Sequence, residues 1–196
     1  MIKHEIAYNS QRNNIDFNGS FPGWSQCFST CAWMLMSFYE KDIHGSDDYR
    51  LSVYFDDVED SVGSAGIGEK IKQKYNWITG KTSYWWLVQK AGIEKWLNSY
   101  GLKGTAIFKE KGDFYKIYDH LLYGPVVIGT KKLGGLRGGH IILGVGVDGD
   151  DIICHDPYGD ANSNYRNRDG EYVRYSKKLL LKHVGVKANF MYWSNF

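Results

Sequence analysis

Three residue types that together make an acyl-transfer site, a thiol, an imidazole and a carboxylate, occur in the order Cys27, His140, Asp156. A cysteine attacks as its thiolate, and a helix N-terminus favours that anion through free backbone N–H groups and the helix dipole. The run CFSTCAWMLMSFYE, residues 27–40, spaces Cys27, Cys31, Met34, Leu35 and Phe38 by three and four, the stripe of a buried helix. Pro22-Gly23 and Ser25 punctuate its start, so Cys27 is predicted in the first turn and Cys31 one turn inside. By position alone Cys27 also fits a small buried hydrophobe.

A base must come from the six histidines. His4 lies in the terminal segment, His44 in a loop, His120 on a helix face and His183 in a basic stretch, and each reads as surface or structural. His140 opens an apolar strand directly after the glycine-rich loop GGLRGG, a place that faces a cleft. The runs HIILGVGV and DIICHD flank an Asp/Gly turn at 148–150. With that turn centred near Gly149, antiparallel pairing brings residues around 156–158 opposite His140. Asp156 can then accept the imidazole N–H and fix its tautomer, while His155 points to the other sheet face. Asp156-Pro157 is also a turn signal in its own right.

The elements that must hold these groups divide the chain. Helices are predicted over 27–40, near 69–75, over 83–100 ending at Gly101, and over 113–122 ahead of Gly124-Pro125. Residues 41–82 read as a polar excursion with acidic Asp56, Asp57, Glu59 and Asp60. From 125 the period changes to short β-branched runs at 125–130, 140–147 and 152–156, with outer strands at 171–175 and 190–193. Helices first and strands later give an α+β fold on one antiparallel sheet, and no linker or repeat divides residues 1–196, which are expected to form a single domain.

Composition excludes several classes. Lys plus Arg number 24 against 22 Asp plus Glu, and no basic run interleaved with aromatics points to nucleic acid. The longest apolar run, 141–147, is far below a membrane span. Three cysteines do not suit a disulfide framework, and MIKHEIAYNSQRNN is not a secretory signal. Synthesis in a cytoplasm and a monomer are the expectations, with no cofactor and no metal.

The cysteine segment, together with GGHIILGVGVD and IICHDPYGDANSNY, resembles the bacteriocin-leader-peptidase-like cysteine peptidases, from about residue 9 to 180. The resemblance implies a papain-like fold, Cys27 as nucleophile, His140 as base and Asp156 as its orienting partner. It also implies an oxyanion-binding glutamine, for which Gln11 in NSQRNN is the match and Gln26, adjacent to Cys27, the poorer one. Phe28 departs from the small residues usual after the nucleophile. Free-standing relatives include cell-wall hydrolases and phage-type lysins, so a peptidoglycan stem or cross-bridge amide is the expected substrate, cut after release from the cytoplasm.

Other readings compete. One is a protease that processes proteins or leader peptides, and another an inactive papain-like domain that only binds. A zinc module on Cys27, Cys31, Cys154 and His155 would need an unusual Cys-x3-Cys spacing. The 148–151 turn also has the acidic content of a calcium loop, against the plain hairpin reading.

Overall fold

A computed structural model of the protein describes residues 1–14, 26–39 and 84–195. Pro22-Gly23, Ser25, His44, the acidic cluster at 56–60 and the helix expected at 69–75 lie outside them.

Helix α1 spans Cys27–Tyr39 and α2 spans Tyr84–Ser99, close to their predicted limits. Gly101 follows α2 with φ +80°, a left-handed conformation that glycine adopts without a Cβ penalty. Helix α3 is shorter than expected, Lys116–Leu121, because Asp113 ends a strand and its Oδ1 accepts the Tyr115 N–H. A fourth helix, α4 at Lys177–Val184, is absent from the sequence expectation. Ser176 caps it by accepting the Leu179 N–H, and Gly185 with φ +84° stops it.

The strands are β1 Ile2–Lys3, β2 Thr105–Asp113, β3 Val126–Lys131, β4 Gly139–Asp148, β5 Asp151–His155, β6 Val173–Tyr175 and β7 Lys187–Ser194. They form one antiparallel sheet in the order β2-β7-β3-β4-β5-β6, with β1 on the far half of β4. The α+β class is as expected, but three strands differ, one being the short β1 at Ile2–Lys3, which the sequence expectation lacks. The predicted outer strand at 190–193 is β7, which sits inside the sheet between β2 and β3. Its burial on both sides comes from long-range pairing, which local alternation does not report. The unpredicted β2 is the edge beyond it, and Lys109-Glu110-Lys111-Gly112 interrupts its apolar pattern where a register shift falls.

Helices cover both faces. Cys31, Met34 and Leu35 of α1 and Ile93 and Leu97 of α2 pack with Val127, Ile141, Leu143 and Val145. On the other face Ile117 and Leu121 of α3 and Leu180 of α4 pack with Ile128, Ile142, Ile152 and Cys154. Burying each such aliphatic side chain contributes about 1.5–3 kcal/mol.

One irregularity positions the site. The β4–β5 turn joins the facing pair Asp148 and Asp151, and the register shifts by one residue between Gly144 and Gly146. This bulge leaves Val145 extra, so Ile141, Leu143 and Val145 share one core whereas Val147 joins the other. Continued from the turn without the bulge, strict alternation would turn His140 and His155 to the same face. With it, Gly144 faces Cys154, and the next position on the face of His140 is Asp156. The turn therefore centres slightly later than Gly149, and the bulge restores the pairing that a Gly149 centre predicts.

Candidate active site

His140 is the second residue of β4, buried, with its backbone carbonyl held by Thr130 Oγ1 at 3.0 Å. Its Nε2 lies 2.7 Å from Asp156 Oδ1. Cys27 is the second hydrogen-bond partner of the ring, which leaves Nδ1 as the nitrogen that serves the sulfur. Burial alone disfavours charge on His140, but the Asp156 carboxylate and the Cys27 thiol outweigh it and hold the imidazole pKa up, at about 10. The edges of Tyr158 and Tyr165 meet the ring at about right angles, with centroids 6.1 and 6.0 Å away.

Asp156 has no exposed surface, and its carboxylate is fully occupied. Oδ1 also accepts the Tyr158 N–H at 3.0 Å, while Oδ2 accepts the Tyr175 hydroxyl at 2.8 Å and the Tyr165 hydroxyl at 3.2 Å. Without such donors a buried carboxylate would neutralise itself. Burial and the Asp156 charge both push the two phenols upward, so they stay protonated and donate. Neither tyrosine is a sequence-predicted site residue. Tyr175 lies opposite Ile152 in the β5–β6 pairing and points into the same core, a relation visible only once β6 is placed.

Cys27 begins α1 and is half-buried, whereas Cys31 and Cys154 are fully buried and burial raises both of their thiols well above the ordinary range. The Gln26 carbonyl accepts from the Thr30 N–H and from the hydroxyls of Ser29 and Thr30, each at 3.0 Å. That carbonyl points along the helix, so in a planar trans peptide the Cys27 N–H points the other way, out from the helix start. The buried Gln26 side chain belongs to this cap region.

Gln11 starts a 3₁₀ turn, Gln11–Asn14, and is buried. Its N–H donates to the Pro157 carbonyl at 3.0 Å. Neighbouring ties bind the same segment to the loop after Asp156. Tyr8 Oη donates to the Asp156 carbonyl, and Arg12 Nε donates to the Tyr158 carbonyl with its guanidinium over the Tyr158 ring. Gln11 is thus brought beside the Asp156 end of the site although 145 positions separate them in the chain.

The remaining described histidines have structural partners. His155 Nε2 donates to the Ile6 carbonyl and its Nδ1 accepts the Tyr172 N–H, so both ring nitrogens are used and burial lowers its pKa to about 4. His4 meets the Leu121 carbonyl, His183 the Lys131 carbonyl, and His120 stacks on Tyr192. Among the described residues no group of His, Cys, Asp or Glu is arranged to hold a metal ion, so the Cys27, Cys31, Cys154 and His155 set does not form a ligand cluster. Among them, too, no helix is long and apolar enough to cross a membrane.

Cys27 and His140 open onto a cleft of about 880 Å³. Trp86, stacked on Phe108 at 4.8 Å, forms one apolar wall and touches Gly129, where a Cβ would lie 2.9 Å from the indole. Loop 132–138 forms another wall. Its Gly134, with φ +55°, lies so close to the Tyr165 ring that any Cβ would collide with it.

A profile of the Peptidase_C39-like family matches residues 3–178. Among solved structures the chain is similar to one from Bacillus anthracis described as a C39-like peptidase, with 14% identity and a TM-score of 0.34. That match covers 53% of this chain and 57% of the other, less than two thirds of its length. No curated protein matches the sequence.

Proposed function

Because the chain belongs to the Peptidase_C39-like family of papain-like cysteine peptidases, we propose that it hydrolyses peptide bonds with Cys27 as nucleophile, His140 as base and Asp156 as the group that orients His140. The observation that carries this reading is the buried 2.7 Å contact between His140 and Asp156, with Cys27 as the other partner of the imidazole.

Chemistry follows from the charges. An imidazolium held between a carboxylate and a sulfur favours the thiolate, which attacks the carbonyl carbon of the substrate amide. The C–O π pair moves onto oxygen, and this oxyanion meets the Cys27 N–H at the helix start and the Gln11 side-chain amide. When the pair returns, the C–N bond breaks and His140 gives its proton to the leaving nitrogen. Water, deprotonated by His140, then attacks the thioester carbon; the C–S bond breaks, releasing a carboxylic acid and the thiolate beside a reprotonated imidazole.

The substrate we propose is a stem or cross-bridge amide of bacterial peptidoglycan, on the strength of the sequence resemblance to free-standing cell-wall hydrolases. Mass spectrometry of products from purified cell walls, with wild type and Cys27→Ala side by side, tests both parts. New amine and carboxyl termini released by wild type alone are expected. The same products from the alanine variant would remove Cys27 from the mechanism. Intact walls alongside a cleaved casein or leader peptide would keep the peptidase and discard the wall substrate.

A further inference from the structure

We infer that the cleft beside Cys27 selects substrates that carry a carboxylate close to the scissile amide; this rests on the peptidase reading and adds its substrate class. Charge around the cleft is one-sided. Lys111, Lys131, Arg137 and Lys187 all line it, and among the described residues no Asp or Glu does, although acids and bases nearly balance over the whole chain. Among the described residues Lys131, Arg137 and Lys187 form no ion pair. Asp113 is paired in register with Lys187, but its carboxylate caps the Tyr115 N–H and lies off the cleft lining.

The cations are gathered by the fold. Lys131 ends β3 and Lys187 begins β7, and these strands are paired antiparallel up to Ile128 and Phe190. Both lysines lie beyond that paired stretch and line the same cleft. Arg137 comes from loop 132–138, which is pinned at its base by buried Leu133 and by the Lys132 N–H on the Gly138 carbonyl. Like charges gathered at one cleft cost stability, and among the described residues no anion lines it with them. A ligand that supplies one recovers that cost on binding, and a cleft walled by apolar Trp86 and Leu136 concentrates the positive field at its mouth.

The field can be read at Cys27 without turnover. Alkylation by anionic iodoacetate is compared with neutral iodoacetamide, for wild type and for Lys131→Gln/Arg137→Gln/Lys187→Gln, with the labelled peptide identified by mass spectrometry. Buried Cys31 and Cys154 do not compete. The iodoacetate-to-iodoacetamide rate ratio should fall about tenfold in the triple variant and fall more steeply with added salt in wild type than in the variant. An unchanged ratio overturns the inference. The second measurement is cleavage of a mixed peptide library by wild type. Enrichment of Asp and Glu next to the cut, lost in the triple variant, is expected. Cleavage with no acidic enrichment overturns the substrate class and leaves the peptidase reading standing. No Cys27-dependent cleavage, with the alkylation ratio as expected, overturns the peptidase reading and not the anion-attracting cleft.

Discussion

The Tyr175 hydroxyl donates a 2.8 Å hydrogen bond to Asp156 Oδ2, the carboxylate oxygen that His140 does not use. Together with Tyr165 it fixes the plane of the carboxylate, and through it the imidazole. Tyr175 is therefore a positioning residue that acts through Asp156. For Tyr175→Phe, kcat per titrated Cys27 should drop about tenfold with KM unchanged, the scale of one hydrogen bond to a buried charge. A lower melting temperature with full kcat in the surviving fold would reduce Tyr175 to a packing residue.

Asp156→Asn keeps the shape and removes the charge. His140 then loses the main force that offsets its burial, so its imidazolium deprotonates at lower pH. The alkaline limb of kcat/KM, expected near pH 10 in wild type, should move down by about two units. An alkaline limb that stays in place would assign it to another group.

Two histidines make stability depend on pH in opposite senses. His140 is raised from 6.5 to about 10, so its contribution is complete below pH 6.5 and is lost as pH rises toward 10. His155 is lowered from 6.5 to about 4, so its contribution is complete above pH 6.5 and is lost as pH falls toward 4. Denaturant unfolding across pH 4–10 should therefore show greatest stability near 6.5. In His155→Gln the acid-side decline should flatten, and in His140→Gln the alkaline one.

Gln11→Ala tests the oxyanion role. A donor that acts only on the tetrahedral intermediate should cost about 100-fold in kcat with little change in KM. Equal losses in Gln11→Ala and in an Arg12→Ala control, both tied to the Pro157-Tyr158 loop, would point instead to loop positioning.

The start of α1 at Cys27, the two strands around the 148–150 turn and the separation of His140 from Asp156 are all local matters, and periodicity and turn residues made them legible. Strand β2 was hidden because its polar, glycine-broken second half follows edge exposure and a register shift. Helix α4 carried its signals, a Ser176 cap and a Gly185 stop, on a basic run of only 8 residues.

By its own chemistry, the sequence determined that a thiol would head a helix and that one histidine would open a core strand with an aspartate at the far end of its hairpin. Which residues share a face and which charges share a cleft was decided only in the tertiary structure. The bulge at Val145 chooses Asp156 over His155 as the partner of His140. Pairing of β6 delivers Tyr175 to Asp156, and the end of β3 and the start of β7 bring Lys131 and Lys187 to one cleft. Each depends on contacts between residues far apart in the chain. Hydrogen-bond register and burial set those contacts, and no window of neighbouring residues encodes them.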